Sequence, residues 1–99
     1  MSSGVRRVYR GAFEGTGADL DVKTVGFRPK HVTLLNVTGL VRAEWNESMA
    51  DDTAVKTVTD GTISVISSNG ITPLANGFSV GADTDINVSA EVVHFEAEE

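Results

Sequence analysis

The residue pattern closest to a catalytic signature is Gly77-Phe78-Ser79-Val80-Gly81, which matches G-x-S-x-G. In α/β-hydrolases, this pattern places the serine on a sharp turn between a strand and a helix. Residues 82–88 start no helix here, and a chain of 99 residues is too short for that fold. A catalytic triad with Ser79 would need one of the two histidines, His31 or His94, and an aspartate such as Asp83. We interpret the segment as a short strand between two glycines, and we expect no catalytic residues and no enzyme activity.

A second pattern, Asp83-Thr84-Asp85-Ile86-Asn87, begins like the D-x-D-x-N of a calcium loop. An EF-hand would also need glycine at the sixth position and glutamate at the twelfth. Those positions hold Val88 and His94, so the EF-hand interpretation fails. A looser calcium site that includes Asp51 and Asp52 stays open, beside the simpler interpretation of a polar turn. We expect no resident metal and no cofactor.

Two other groups could recognise or cleave a sugar. Asp19 with Asp21, and Glu44 with Glu47, are carboxylate pairs of the kind that glycosidases use across a cleft. Solvated strand faces explain these pairs better in so small a domain. Trp45, the only tryptophan, could be a stacking platform for sugars, but its place in the alternating segment 41–47 favours a core position.

Charge is distributed unevenly along the chain. The net charge is −6 and the pI about 4.7, which argues against a nucleic-acid partner. Residues 1–43 carry seven basic and three acidic side chains, whereas residues 44–99 carry one and eleven. This asymmetry either is chance or predicts a basic attachment face and an acidic outer face. A small basic cluster near Tyr9 consists of Arg6, Arg7 and Arg10. We interpret it as an arm that contacts a protein, or as charged residues that protect a sheet edge from unwanted pairing.

The elements that must position these residues are strands. Apolar residues recur with a period of two, most clearly in residues 41–47, where Val41, Ala43 and Trp45 alternate with polar side chains. Turn signals recur about every ten residues, as in all-β sandwiches and barrels. Predicted strands cover residues 6–13, 20–25, 31–37, 41–47, 54–58, 62–66 and 91–97, and turns fall at residues 60–61, 69–70 and 76–77.

The sequence therefore predicts one all-β domain over residues 1–99, an antiparallel β-sandwich or barrel of jelly-roll-like type, with frayed tails at 1–4 and 98–99. There is no cysteine, no apolar leader after the first arginines and no membrane-length apolar run. The predicted core is Phe13, Val25, Phe27, Val32, Leu34, Val37, Trp45, Val55, Ile63, Val65, Ile71, Leu74, Phe78, Ile86, Val88, Val93 and Phe95.

Several short motifs between residues 26 and 97 carry a resemblance to a known group of proteins. They are Gly26-Phe27-Arg28-Pro29-Lys30-His31-Val32, Asn36-Val37-Thr38, Glu44-Trp45, Met49-Ala50-Asp51, Lys56-Thr57, Gly70-Ile71-Thr72-Pro73, Gly77-Phe78-Ser79-Val80-Gly81-Ala82-Asp83, Asn87-Val88 and His94-Phe95-Glu96-Ala97. This layout resembles small virion structural proteins of tailed bacteriophages, including head decoration (cement) proteins.

The resemblance implies a β-sandwich or barrel module on the outside of a phage head. We expect its partners to be the lattice of the major capsid protein and further copies of the chain, a trimer being one option, with no nucleic acid and no membrane. The expected contact residues are Arg6, Arg7, Arg10, Arg28 and Lys30. Synthesis would take place in the host cytoplasm and the final location would be the virion surface. The alternatives are a tail, collar or fibre module, or a module that binds glycans on the host surface.

Overall fold

The computed structural model describes residues 7–99, and these form eight strands. The strands are β1 (Val8–Glu14), β2 (Leu20–Val22), β3 (His31–Asn36), β4 (Val41–Asn46), β5 (Thr53–Thr57), β6 (Ile63–Leu74), β7 (Gly77–Val80) and β8 (Val92–Glu98). All pairings are antiparallel and join the strands into one sheet of order β1-β8-β3-β4-β5-β6-β7-β2. The sheet curls into a nearly closed, barrel-like domain, which confirms the predicted all-β class.

Alternation along each strand separates the core from the outer wall. In β4, Val41, Ala43 and Trp45 are buried while Arg42 and Asn46 are exposed, as the sequence predicts. Phe95 lies at the centre of an aromatic cluster, with the Phe78 ring edge-on at 5.1 Å and the Tyr9 ring stacked at 5.8 Å. The interior is therefore filled by packed side chains, as in other small barrels.

One predicted turn is confirmed, and a second lies one residue earlier than predicted. The β5–β6 hairpin turns at residues 59–61, where Gly61 has a φ of +88° and the Asp60 carboxylate accepts a hydrogen bond from the Thr62 amide. The β6–β7 hairpin turns at residues 75 and 76, between the paired residues Leu74 and Gly77. In the turn between β5 and β6, the positive φ of Gly61 suits the last position of a three-residue hairpin loop.

The turn predicted at Asn69-Gly70 is wrong, because these residues lie inside β6. Thr53 pairs with Ile71 while the next residue, Ala54, pairs with Ile66, so residues 67–70 bulge out of the ladder. Asn69 accommodates the bulge with a φ of +60°. Asparagine tolerates this left-handed conformation better than most residues, which is why the same dipeptide suits a bulge as well as a turn.

The predicted core is only partly correct. Val37, Ile63 and Val65 are 46%, 68% and 71% exposed. Val37 follows the end of β3, and Ile63 and Val65 lie on the outer face of a hairpin arm. The tail expected to fray at 98–99 is instead bonded: Glu98 belongs to β8, and the Glu99 amide donates to the Arg7 carbonyl at 2.9 Å.

Within residues 7–99, the structure contains no helix that is both long and apolar enough to cross a lipid bilayer.

Candidate functional site

An open groove of about 1020 Å³ lies at one end of the barrel, which we call the groove end. Here β3 and β7 begin and β4, β6 and β8 finish. The groove is lined by Arg28, Pro29, Lys30, His31, Trp45, Glu47, Met49, Asp51, Pro73, Glu98 and Glu99. Its walls therefore combine apolar, cationic and anionic side chains, a composition that suits a protein surface better than a phosphate backbone.

Trp45 forms part of the base of the groove but is buried, with 2% of its surface exposed. Its indole Nε1 donates a hydrogen bond to the Ala50 carbonyl at 3.0 Å. This bond ties the residue 47–52 turn to the end of β4. The core position predicted for Trp45 is confirmed, and almost no ring surface remains for stacking against a sugar.

Arg7 lies beside the groove and is paired with the end of the chain. Its Nε donates to the Glu99 carboxylate at 3.1 Å, a second nitrogen of the guanidinium also contacts Glu99, and the guanidinium lies 5.0 Å from the centre of the Phe27 ring. The hydrogen bond raises the pKa of Arg7 and lowers the pKa of Glu99. The Arg7 guanidinium is thus already paired with Glu99 within the chain.

Arg28 and Lys30 are the expected contact residues that remain most available. Both are exposed, on the segment between β2 and β3. Arg28 donates one hydrogen bond, to the Pro73 carbonyl at 3.3 Å, and the backbone of Lys30 bonds to Glu98 and Glu47. Among residues 7–99, neither side chain forms an ion pair. Both present charge to the groove without a carboxylate bound to it.

Arg10, another expected contact residue, does not line the groove. Arg10 lies on the outer wall of β1, where its Nε contacts the Glu96 carboxylate at 2.6 Å and lowers the pKa of that carboxyl. Arg6 lies outside the described residues. Because arginines of the first half pair with glutamates of the second, the charge asymmetry of the sequence does not become two separate faces here.

His31 extends the polar wall of the groove. Its ring lies between two carboxylates, with Nε2 at 3.8 Å from Glu44 and Nδ1 at 3.9 Å from Glu98. These distances exceed hydrogen-bond length, so the contacts are electrostatic and need a protonated ring. His31 and His94 lie on different strands, β3 and β8, and Ser79 lies within β7 opposite Thr72 and Asp21. The glycine-flanked serine is thus a strand residue, as interpreted from the sequence.

The opposite end of the barrel contains a cluster that sequence reasoning missed. Lys56 points inward from β5 and is 9% exposed. Its Nζ lies 2.7 Å from an Asp85 oxygen and 3.2 Å from an Asp83 oxygen. The ammonium therefore occupies the middle of the segment that resembles a calcium loop. No group of metal-ligating side chains is found among residues 7–99.

The pKa of Lys56 reflects this environment. Burial by itself lowers the pKa, but hydrogen bonds to Asp85 and Asp83 outweigh burial and raise the pKa above its ordinary value of 10.5. Asp83 also accepts hydrogen bonds from the Asp85 and Ile86 amides through Oδ1. The cluster is an ion pair built on a capped turn, which explains the acidic residues without a metal.

Two buried asparagines hold the loops around this ion pair. Asn36 Nδ2 donates to the Asp85 carbonyl and to Glu91, while its Oδ1 accepts from the Thr38 and Gly39 amides. Asn87 bonds in the same way to Thr16, Ala18 and Gly81. Every buried side-chain nitrogen and oxygen of the described residues has a hydrogen-bond partner. The buried polar side chains at this end of the molecule therefore form a complete hydrogen-bond network.

Comparison with known proteins identifies no relative of this chain. The chain matches no family model, and no curated protein or solved structure matches it significantly.

Proposed function

We propose that this protein is a non-enzymatic virion structural protein, a decoration protein that binds the outside of a tailed-phage head and stabilises its lattice. The single observation that carries the proposal is the residue pattern over positions 26–97, which resembles phage virion proteins. Several of its motifs lie in the groove, namely those that contain Arg28, Lys30, Trp45 and Asp51.

The packing of the barrel supports a role that uses the outer surface. Fully buried side chains such as Leu34, Ile71, Phe78 and Ile86 occupy the interior of the sheet. A small barrel that is filled in this way presents its binding groups on its walls and ends. The groove end offers the chemistry of a protein contact: buried Trp45 at its base, two cations without ion-pair partners among residues 7–99, and a rim of carboxylates.

Binding to an assembled lattice would stabilise the head by mass action. A ligand that binds only the assembled state contributes RT ln(1 + [L]/Kd) per site, and many sites on one shell multiply the effect. In this proposal, Arg28 and Lys30 meet acidic groups of the major capsid protein, and Arg7 and Arg10 assist from the flanking surface. The proposal also includes association of the protein with further copies of itself.

The test is co-sedimentation of the purified protein with expanded empty heads of the phage that encodes it. We expect a fixed, saturable number of copies on each head. The double variant Arg28→Glu/Lys30→Glu should bind far more weakly. Lys23→Glu/Arg42→Glu is the matched control, because it changes two exposed cations outside the groove by the same total charge. Heads that bind no wild-type protein, or bind both double variants equally well, would refute the proposal.

A glycan-binding role is the less favoured alternative. The features that suggested it include Trp45 and the calcium-like loop at residues 83–87. The tryptophan is 2% exposed, and Lys56 is bonded to the carboxylates of the loop. A tail, collar or fibre position uses the same groove chemistry as a head position, and it differs only in where the protein is found on the virion.

A further inference from the structure

The first part of β6 has a neighbouring strand on one side only, as far as residues 7–99 are concerned. Residues 63–66 pair with β5, whereas β7 pairs with β6 only from Ile71 to Leu74. After Val80 the Gly81 amide bonds to the Gly70 carbonyl, and the chain then leaves the sheet toward Asp83 and Lys56. Residues 63–66 therefore form an open strand edge, which we call the β6 edge.

The hairpin geometry identifies the backbone groups that the β6 edge presents. The Val58 amide donates to the Thr62 carbonyl, and the Gly61 amide donates to the Val58 carbonyl. Hydrogen-bonded and non-hydrogen-bonded pairs alternate along an antiparallel ladder. Since Val58 and Thr62 form a hydrogen-bonded pair, Ser64 and Ile66 also bond to β5. The amides and carbonyls of Ile63 and Val65 consequently point away from β5, toward the open side.

The β6 edge lacks the protection that other sheet edges in this protein carry. Residues 61–82 contain no charged side chain, and Ile63 and Val65 are 68% and 71% exposed. The two terminal strands of the sheet differ: β1 carries Arg10 and Glu14, and β2 has only three residues, centred on Asp21. Lysine and proline are among the usual means of preventing edge pairing, and residues 63–66 contain neither.

We propose that the β6 edge is a self-association interface, where it pairs antiparallel with the β6 edge of a second copy. This inference rests on the self-association in the proposed function, and it does not depend on binding to a capsid. Two chains of charge −6 repel each other over most of their surface, so they meet with least cost where no charge is present. An uncharged, β-branched edge is also complementary to itself.

One register uses all of the outward backbone groups. When Ser64 lies on the two-fold axis, Ile63 of each chain faces Val65 of the second copy. Both residues then exchange amide and carbonyl bonds across the axis, and Ser64 faces its own copy in a non-hydrogen-bonded pair. An isologous contact of this kind closes as a dimer. The expected species is therefore a dimer and not the trimer that the resemblance suggests.

Sedimentation velocity over a wide range of protein concentrations tests the proposal. We expect wild type to approach twice the 10.5 kDa mass of one chain. Val65→Pro removes an outward amide without removing a bond to β5, so it should shift the protein to monomer. Val65→Lys places a charge on the edge and should have the same effect if the proline variant fails to fold. Val65→Thr keeps the amide and the β-branched shape and should remain dimeric.

Cross-linking tests the register. The protein has no cysteine, so a single introduced cysteine can form a disulfide only with another copy. Ser64→Cys should cross-link efficiently, because facing residues of a non-hydrogen-bonded pair bring their Cα atoms within disulfide distance. Ser68→Cys, exposed in the bulge of the same strand, is the control. A monomeric or trimeric wild type, a dimeric Val65→Pro variant, or equal cross-linking of both cysteine variants would overturn the proposal.

Discussion

At the scale of single residues, Lys56 has the clearest physical consequence. Its side chain is 11% exposed and lies between Asp83, which is 10% exposed, and Asp85, which is 41% exposed. A charge in such a place is stable only with its partners, and loss of one partner leaves the other without compensation. Composition could not predict this contact, because a lysine in an alternating strand ordinarily faces water.

Replacement of Lys56 by methionine should therefore destabilise the fold. The expected loss is about 3 kcal/mol of unfolding free energy, since Asp83 would be left buried without a cation. Lys23→Met is the matched control, because Lys23 is 61% exposed and 3.9 Å from Asp21; its effect should stay within about 0.5 kcal/mol. Urea denaturation measures both. Equal effects of the two variants would mean that the ion pair contributes nothing.

The same lysine should produce a pH dependence at the alkaline end. Because the pKa of Lys56 is raised in the folded state, its contribution is complete below the ordinary value of 10.5 and is lost as pH rises through the higher folded value. The stability difference between wild type and Lys56→Met should thus shrink above pH 10.5. A difference that stays constant between neutral and strongly alkaline pH would contradict this assignment.

At the scale of elements, the bulge in β6 depends on close contact with the start of the loop after β7. A Cβ atom on Gly81 would lie 2.3 Å from the Asn69 Cα atom, and one on Gly70 would lie 2.4 Å from the Thr53 backbone. Backbone atoms cannot yield as a flexible side chain can. These two glycines thus allow β6 to change its register between β5 and β7.

Gly81→Ala should destabilise the protein by about 2–3 kcal/mol through this collision. Gly61→Ala is the comparison, since Gly61 has a positive φ but open space around its Cα atom. Its cost should be near 1 kcal/mol, from backbone strain alone. Thermal unfolding of both variants tests the order. A smaller effect at Gly81 than at Gly61 would contradict the described packing of the bulge.

Local patterns predicted some elements well and others poorly, for physical reasons. Asp60-Gly61 turns the chain as predicted, whereas the turn between β6 and β7 lies at residues 75 and 76, one residue earlier than predicted, because Gly77 already pairs with Leu74. Asn69-Gly70 carries the same signal, but β6 continues through it because its second half pairs with β7. Ile63 and Val65 have core-like side chains and yet lie on an outer face, since no periodicity indicates which face of a two-sided strand is covered.

The candidate site was predicted in part. Arg28 and Lys30 were expected contact residues, and the structure brings them together in one groove with Trp45 and Met49. Their neighbours Glu98 and Glu99 could not be anticipated, because the pairing of β8 with β1 and β3 joins distant parts of the chain. Long-range pairing of this kind leaves no local signal. The acidic rim of the groove therefore could not be predicted from the sequence.

At the scale of the whole molecule, the two ends of the barrel differ in character. The end with Lys56, Asn36 and Asn87 is closed by a satisfied hydrogen-bond network, whereas the groove end presents Arg28 and Lys30 without ion-pair partners among residues 7–99. Hydrogen bonds hold the loops in place at the first end, whereas the groove end leaves these two cations exposed. We therefore expect the protein to attach by the groove end.

Attachment of this kind should depend on salt. Charge-assisted contacts at an exposed rim weaken as ionic strength rises, because the screening length falls to about 3 Å at 1 M salt. We expect head-bound protein to be released progressively by salt, and the Arg28→Glu/Lys30→Glu variant to show a shallower salt dependence over any residual binding. Binding that is insensitive to salt would contradict attachment through Arg28 and Lys30.

Electron cryomicroscopy of heads with and without the bound protein would show where the protein sits on the virion. We expect added density at regular lattice positions on the outer surface of the head, with the groove end of the barrel toward the capsid protein. Density confined to the tail or collar, or no added density at saturating protein, would contradict the proposed function.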